Sequence, residues 1–109
     1  MIPERYGIYL AALDPAVGRE TAKTRPVVVV SLDVLNRVLD TVVICPLTTK
    51  LHPGWRSRLP VRCAGKPAEI AVDQIRTIST LRLVRKVDTI GAAAAEKLRH
   101  LIVEMYGMP

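Results

Sequence analysis

Phenylalanine is absent from this chain of 109 residues, and aromatic side chains make up only 4% of it. Half of the residues are nevertheless hydrophobic, so the core must be built from Val, Leu, Ile and Ala. That apolar share excludes a disordered tail. No segment approaches the ~18 consecutive apolar residues of a membrane helix. Cysteine is scarce: Cys45 lies in an apolar run and Cys63 follows Arg62. Both read as reduced packing thiols. Two cysteines and two distant histidines give no zinc spacing. There is no G-x-S-x-G, no Gly-rich phosphate loop and no metal-binding acidic cluster. No metal or cofactor is therefore expected. The opening stretch Met1–Tyr6 lacks a basic segment leading into an apolar one, so a cytoplasmic protein is expected.

What is abundant is positive charge. Sixteen Lys and Arg against ten Asp and Glu give a net charge of +6. Arg56, Arg58, Arg62 and Lys66 stand between Leu51 and Ala68 without a single acid among them. Such a balance favours an anionic partner, although a solvated basic face has the same composition.

The length suits one domain over residues 1–109. Strands are expected at Gly7–Leu13, Val27–Ser31 and Thr41–Leu47, with one helical turn at Leu32–Asn36. Further strands are expected at Arg56–Val61, Glu69–Val72, Gln74–Ile78 and Arg85–Ile90, with a connector at Leu81–Leu83. Val27–Val30 is β-branched and apolar on both faces, which marks a central strand. One sheet face of so small a domain has little to cover it, which points to a dimer. Ala94, Leu98, Leu101, Ile102 and Met105 repeat with helical spacing, between Gly91 and Gly107. The fold class is mainly β with one helix (α+β), a small curved antiparallel sheet or partly open barrel carrying a C-terminal helix.

Two segments combine an apolar strand with polar groups at one end: Arg25-Pro26-Val27-Val28-Val29-Val30-Ser31 and Cys45-Pro46-Leu47-Thr48-Thr49-Lys50. If those ends meet, they form a cationic pocket for a phosphodiester, with no histidine in it. Arg19, Arg25, Thr48, Thr49, Lys50 and Arg76 supply cations and hydroxyls, and Glu20 and Asp73 stand among them. Such groups bind phosphate through charge-assisted hydrogen bonds. An ordinary Arg25–Glu20 loop ion pair and a strand-capping Thr48 fit the same pattern. His52 and His100 read as surface or packing residues.

At these residues the chain resembles the MazF/PemK family of toxin endoribonucleases. Leu13-Asp14-Pro15 resembles the end of the family's first strand, and Gly18 and Glu20 its loop motif. The Arg25-Pro26 strand, Asn36-Arg37, Pro46–Lys50 and Asp73-Gln74-Ile75-Arg76-Thr77 follow in the family's order. Tyr6-Gly7, Arg19, Thr21 and Ala71 depart from its usual residues. The resemblance implies an SH3-like barrel of the CcdB/PemK type and a homodimer. It implies a cognate antitoxin that occupies the RNA site. It also implies metal-independent cleavage of single-stranded RNA to 2′,3′-cyclic phosphate and 5′-hydroxyl ends, and thereby inhibition of translation and growth.

The family's catalytic arginine and threonine fall on Arg25 and Thr48. Arg25 is expected to stabilise the phosphate and Thr48 to donate to a non-bridging oxygen. A neutral Arg25 would be costly, and Glu20 and Asp73 are the two alternative proton acceptors. Arg19, Thr49, Gln74 and Arg76 join the substrate site. Lys50, Arg56 and Arg58 are expected to track the RNA backbone, and Trp55 to stack on a base or anchor its loop. The rival readings are a non-catalytic CcdB-like toxin that binds a protein such as DNA gyrase, and a nucleic-acid-binding regulator.

Overall fold

The structure, a computed structural model, describes residues 1–13 and 24–107. Among them the strands are β1 (Gly7–Ala12), β2 (Thr24–Val29), β3 (Thr41–Thr48), β4 (Arg58–Cys63), β5 (Lys66–Ala71), β6 (Arg76–Ser79) and β7 (Leu83–Thr89). Two helices join them: α1 (Asp33–Asn36) and α2 (Ala92–Tyr106). The sheet order is β4-β5-β3-β2-β1-β7, with β6 also on β3, and every pairing is antiparallel. This is the expected mainly β domain with a C-terminal helix. The edge strands approach each other as the sheet curls. The Ala64 N–H, in the β4–β5 turn, donates to Asp88 of β7 at 2.7 Å. Those donated N–H bonds, from Ala64 and Thr89, hold the Asp88 carboxyl below its usual range.

The valine strand is central, between β1 and β3. Its alternate residues feed two cores. Val28 and Val30 join Ile8, Cys45, Leu47, Ile70 and Leu98 of α2 on one face. Val27 and Val29 join Tyr9, Ala11, Val42, Ile44 and Ile78 on the other. Val27, Val28 and Val29 are fully buried within the single chain. Both faces are therefore buried within the single chain, and these valines are not a bare surface that requires a second copy.

The expected strand Gln74–Ile78 is corrected. Val72–Gln74 is a 3-10 turn and β6 begins only at Arg76. The reason lies in β3, which changes partner along its length. Thr41–Ile44 pair with β6, whereas Leu47 and Thr48 pair with β5. The change falls at Cys45-Pro46, where proline has no N–H for a ladder. The 3-10 turn carries the chain across that step, and the Tyr106 hydroxyl of α2 donates to the Val72 carbonyl at 2.7 Å.

Other boundaries move by a few residues. The β4–β5 hairpin turns on Ala64 and Gly65, both at positive φ (50° and 80°), as a two-residue turn of this kind needs. Helix α2 buries Ala95 and Leu98 and ends at Gly107. A Cβ at Gly107 would lie 2.5 Å from the Val103 carbonyl oxygen, so close approach dictates the glycine. Asn36 is buried and is held by Ser31, its Nδ2 donating to the Ser31 carbonyl at 2.9 Å. The described helices include none long and apolar enough to cross a membrane.

Candidate functional site

Antiparallel register brings the two polar strand ends together. Val27 pairs with Pro46, Val28 with Cys45 and Val29 with Ile44. Continued two residues past the last ladder pair, that register carries Arg25 and Thr48 to the same end of the sheet, where both line one cleft. Directly opposed residues share a face, and this face continues the Val27–Val29 side. Thr48 in turn pairs with Glu69 of β5, which puts the Glu69 side chain on that face too. Arg76 pairs with Ile44 and joins it from β6.

Arg25, Thr48 and Arg76 border a cleft of about 520 Å³, lined by Leu13, Arg25, Pro46, Leu47, Thr48, Lys50, His52, Arg58, Ala71, Gln74 and Arg76. Four cations line it and, among the described residues, no carboxylate does. Such a lining selects an anion. Arg25 and Lys50 are exposed and Thr48 is half-buried. The Thr48 hydroxyl oxygen accepts the Lys50 backbone N–H at 3.0 Å. That bond fixes the oxygen and leaves the hydroxyl proton for a ligand. Arg25, Leu47, Thr48 and Lys50 also line a second cleft of about 550 Å³, with Thr24, Pro26, Thr49, Cys63, Lys66, Pro67 and Ala68. The Arg25–Thr48 end is therefore a ridge with a cleft on each side.

Arg58 lines the first cleft, yet its side chain is only 9% exposed. Its Nε stands 3.3 Å from Asp73 Oδ1 and its Nη1 3.8 Å from Glu69 Oε1. Its guanidinium lies 5.2 Å from the centre of the Trp55 ring. Arg58 is thus an anchored cation at the cleft floor. Its buried Nη1 has no hydrogen-bond partner among the described residues, a donor that an anion in the cleft would satisfy.

Trp55 and Arg56 stand elsewhere, in a groove against α2 with Glu96, Lys97, His100 and Glu104. Arg56 pairs there with Glu104. Trp55 connects to the first cleft through Arg58 and through His52, whose ring it stacks on with centroids 3.9 Å apart and planes at 13°. Asp73 flanks the first cleft through Arg58, and Thr49 faces the second one. Arg19 and Glu20 lie outside the described residues.

Sequence reasoning missed four residues: His52, Glu69, Lys66 and Cys63. The expected pocket held no histidine, but His52 lines this one. Its Pro53-Gly54 turn folds the loop back, and its backbone N–H donates to Glu69 at 2.9 Å. Glu69 is 3% exposed, and its place two residues before Ala71 on an alternating strand was the available signal. Lys66 reaches the second cleft from the hairpin turn. Cys63 also lines that cleft, with burial, then Asp88, pushing its thiol up. The described residues contain no cluster of three His, Cys, Asp or Glu in metal-holding geometry.

A curled antiparallel sheet with a cationic, hydroxyl-edged cleft at the ends of its central strands defines a small β domain that handles polyanions. Comparison with known proteins narrows the class. The family model for the PemK-like, MazF-like toxin of type II toxin–antitoxin systems matches residues 4–106, and the chain belongs to that family. It is 29% identical over 106 residues to endoribonuclease EndoA of Bacillus subtilis (strain 168), covering 90% of this chain and 89% of that protein. The fold is shared with MazF in the MazE–MazF complex (Form-III) of Deinococcus radiodurans, at TM-score 0.84, 18% identity and full coverage of both chains. A mycobacterial endoribonuclease in complex with its cognate antitoxin matches at TM-score 0.80 and 21% identity, over 98% of this chain and 97% of that one.

Proposed function

We propose that this toxin is a metal-independent endoribonuclease acting on single-stranded RNA, with residues 1–109 as one toxin domain. The observation that carries the reading is the ridge that Arg25 and Thr48 share, beside a cleft lined by four cations. The names of EndoA and of the mycobacterial endoribonuclease support it.

The scissile phosphate sits on the ridge. Arg25 faces its non-bridging oxygens and stabilises the extra negative charge of the phosphorane. Thr48 donates its hydroxyl proton to one of them. One preorganised donor of this kind contributes ~3–4 kcal/mol to the transition state. The ribose 2′-hydroxyl attacks the adjacent phosphorus and the 5′-oxygen leaves, giving 2′,3′-cyclic phosphate and 5′-hydroxyl ends. Lys50, Arg76 and Gln74 hold the neighbouring nucleotide in the first cleft, and Thr49 holds the chain on the second side. Arg19 belongs to the same substrate site. Arg56 and Trp55 extend the RNA path towards α2.

The protein works in the cytoplasm as a homodimer, neutralised by a cognate antitoxin that covers the cationic cleft. The MazE–MazF complex and the mycobacterial endoribonuclease bound to its cognate antitoxin support a partner of that kind.

Incubation with a long single-stranded RNA in the presence of a chelator tests the reading. Discrete fragments with cyclic phosphate ends are expected. Binding without cleavage means a regulator, and neither binding nor cleavage means a CcdB-like poison of a protein target.

A further inference from the structure

Attack by a 2′-hydroxyl requires a group that takes its proton. Arg25, Arg58, Arg76 and Lys50 line the cleft, but guanidinium and ammonium groups are protonated at neutral pH. Thr48 and Gln74 offer no basic atom. Asp73 is turned to Arg58 at 3.3 Å. Among the described lining residues His52 is the single side chain of a type that ordinarily exchanges a proton near neutral pH.

The His52 ring is also held in place. Its backbone N–H donates to Glu69, which stands opposite Thr48 in the β3–β5 ladder. Trp55 returns a backbone N–H to the His52 carbonyl at 3.2 Å. The Trp55 ring covers one face of the imidazole. Loop and ring are thus fixed from three sides, at the edge of the cleft that Arg25 and Thr48 share. A preorganised base needs that support.

We infer that His52 is the general base of this site. Its neutral imidazole takes the 2′-hydroxyl proton while the electron pair of that O–H bond forms the new oxygen–phosphorus bond. The bond from phosphorus to the 5′-oxygen breaks and its pair leaves with that oxygen. A solvent proton completes the 5′-hydroxyl, and the imidazolium returns its proton to solvent. No oxidant, metal or co-reactant enters the balance. Trp55 is then a positioning residue, acting through the ring it stacks on.

The inference rests on the endoribonuclease reading, and one experiment separates the two. Wild type, His52→Ala and His52→Phe are assayed on a long single-stranded RNA with and without free imidazole, with folding checked by circular dichroism. Both variants are expected to cleave ~10²–10⁴-fold more slowly, the usual contribution of a general base. Free imidazole is expected to restore His52→Ala, whose space it can enter. His52→Phe keeps the stack on Trp55 and fills the space, so it stays slow with imidazole. Wild-type rates in His52→Phe overturn the inference in favour of stacking alone. A folded His52→Ala that imidazole does not restore overturns it as well. If His52→Ala does not fold, His52→Gln replaces it, and cleavage at the wild-type rate is the overturning result. A wild-type protein that leaves the RNA intact overturns the endoribonuclease reading itself.

Discussion

Arg25 and Thr48 lie at the same end of the β2–β3 ladder, each two residues beyond the Val27–Pro46 pair, and both line the same two clefts. Neither side chain contributes to a buried core. Among the described residues the Arg25 side chain has no hydrogen bond or ion pair, and the Thr48 hydroxyl oxygen accepts only the Lys50 N–H. The pair is held by the register of two strands whose cores lie elsewhere. Function at this ridge is therefore separable from stability.

Arg25→Ala and Thr48→Ala should each unfold like wild type and lose RNA cleavage. Removing one such donor costs about 10²–10³ in kcat. Arg25→Lys keeps the charge and loses the planar fork, so it should recover only part of the rate. Cleavage time courses beside thermal unfolding curves check this. A folded Arg25→Ala protein with wild-type cleavage removes Arg25 from the site.

Arg58 predicts the opposite pattern. Its side chain is 9% exposed and Glu69's 4%, so Arg58→Ala leaves a buried carboxylate without its cation. Losing one partner of a buried pair costs about 3–5 kcal/mol. The midpoint of urea unfolding should fall accordingly. The double variant Arg58→Met with Glu69→Leu should recover most of the loss. An unchanged midpoint in Arg58→Ala would make Arg58 a surface contact.

The contrast between Arg25 and Arg58 marks how much the sequence discloses. The valine strand, the helix at Ala94–Met105 and the polar ends at Arg25 and Thr48 were legible because local pattern alone encodes them. Arg58 was not. Its basic neighbourhood between Leu51 and Ala68 reads as solvent-facing, and only the pairing of β4 with β5 shows the carboxylates beneath it. Gln74 was misread as strand because the change of partner at Pro46 is a relation between distant strands. His52 was missed for the same reason, since its place depends on Glu69, seventeen residues later.

Arg56 should behave as a surface residue. It is 86% exposed and paired with a half-exposed Glu104. Such pairs contribute under about 1 kcal/mol, so Arg56→Ala should barely move the melting temperature. Its effect belongs to RNA binding. Each lost phosphate contact lowers the salt slope by roughly 0.7 on single strands. Titrations of RNA affinity against salt read that slope directly, and an unchanged slope takes Arg56 off the RNA path.

Cys45 ties stability to alkaline pH. The residue is fully buried, and burial, with the Asp73 charge adding to it, pushes its thiol from the ordinary 9.0 up to about 12. Between those values the folded chain keeps a proton that the unfolded chain has released. The unfolded state then binds fewer protons, so stability falls as pH rises. One pKa unit corresponds to about 1.4 kcal/mol and the unfolded thiol is half-ionised at its ordinary value, so about 2 kcal/mol should be lost between pH 9 and about pH 11. Lysines and tyrosines titrate in the same range, and the comparison with Cys45→Ala removes their shared contribution. The stability difference between wild type and Cys45→Ala should be flat below about pH 8, where both states hold the proton, and should narrow steadily above pH 9. Urea unfolding at a series of pH values measures it. A difference that stays constant up to pH 11 means the Cys45 thiol ionises in the folded state as it does in the unfolded one, contrary to its burial in the core with Val28, Ile70 and Leu98.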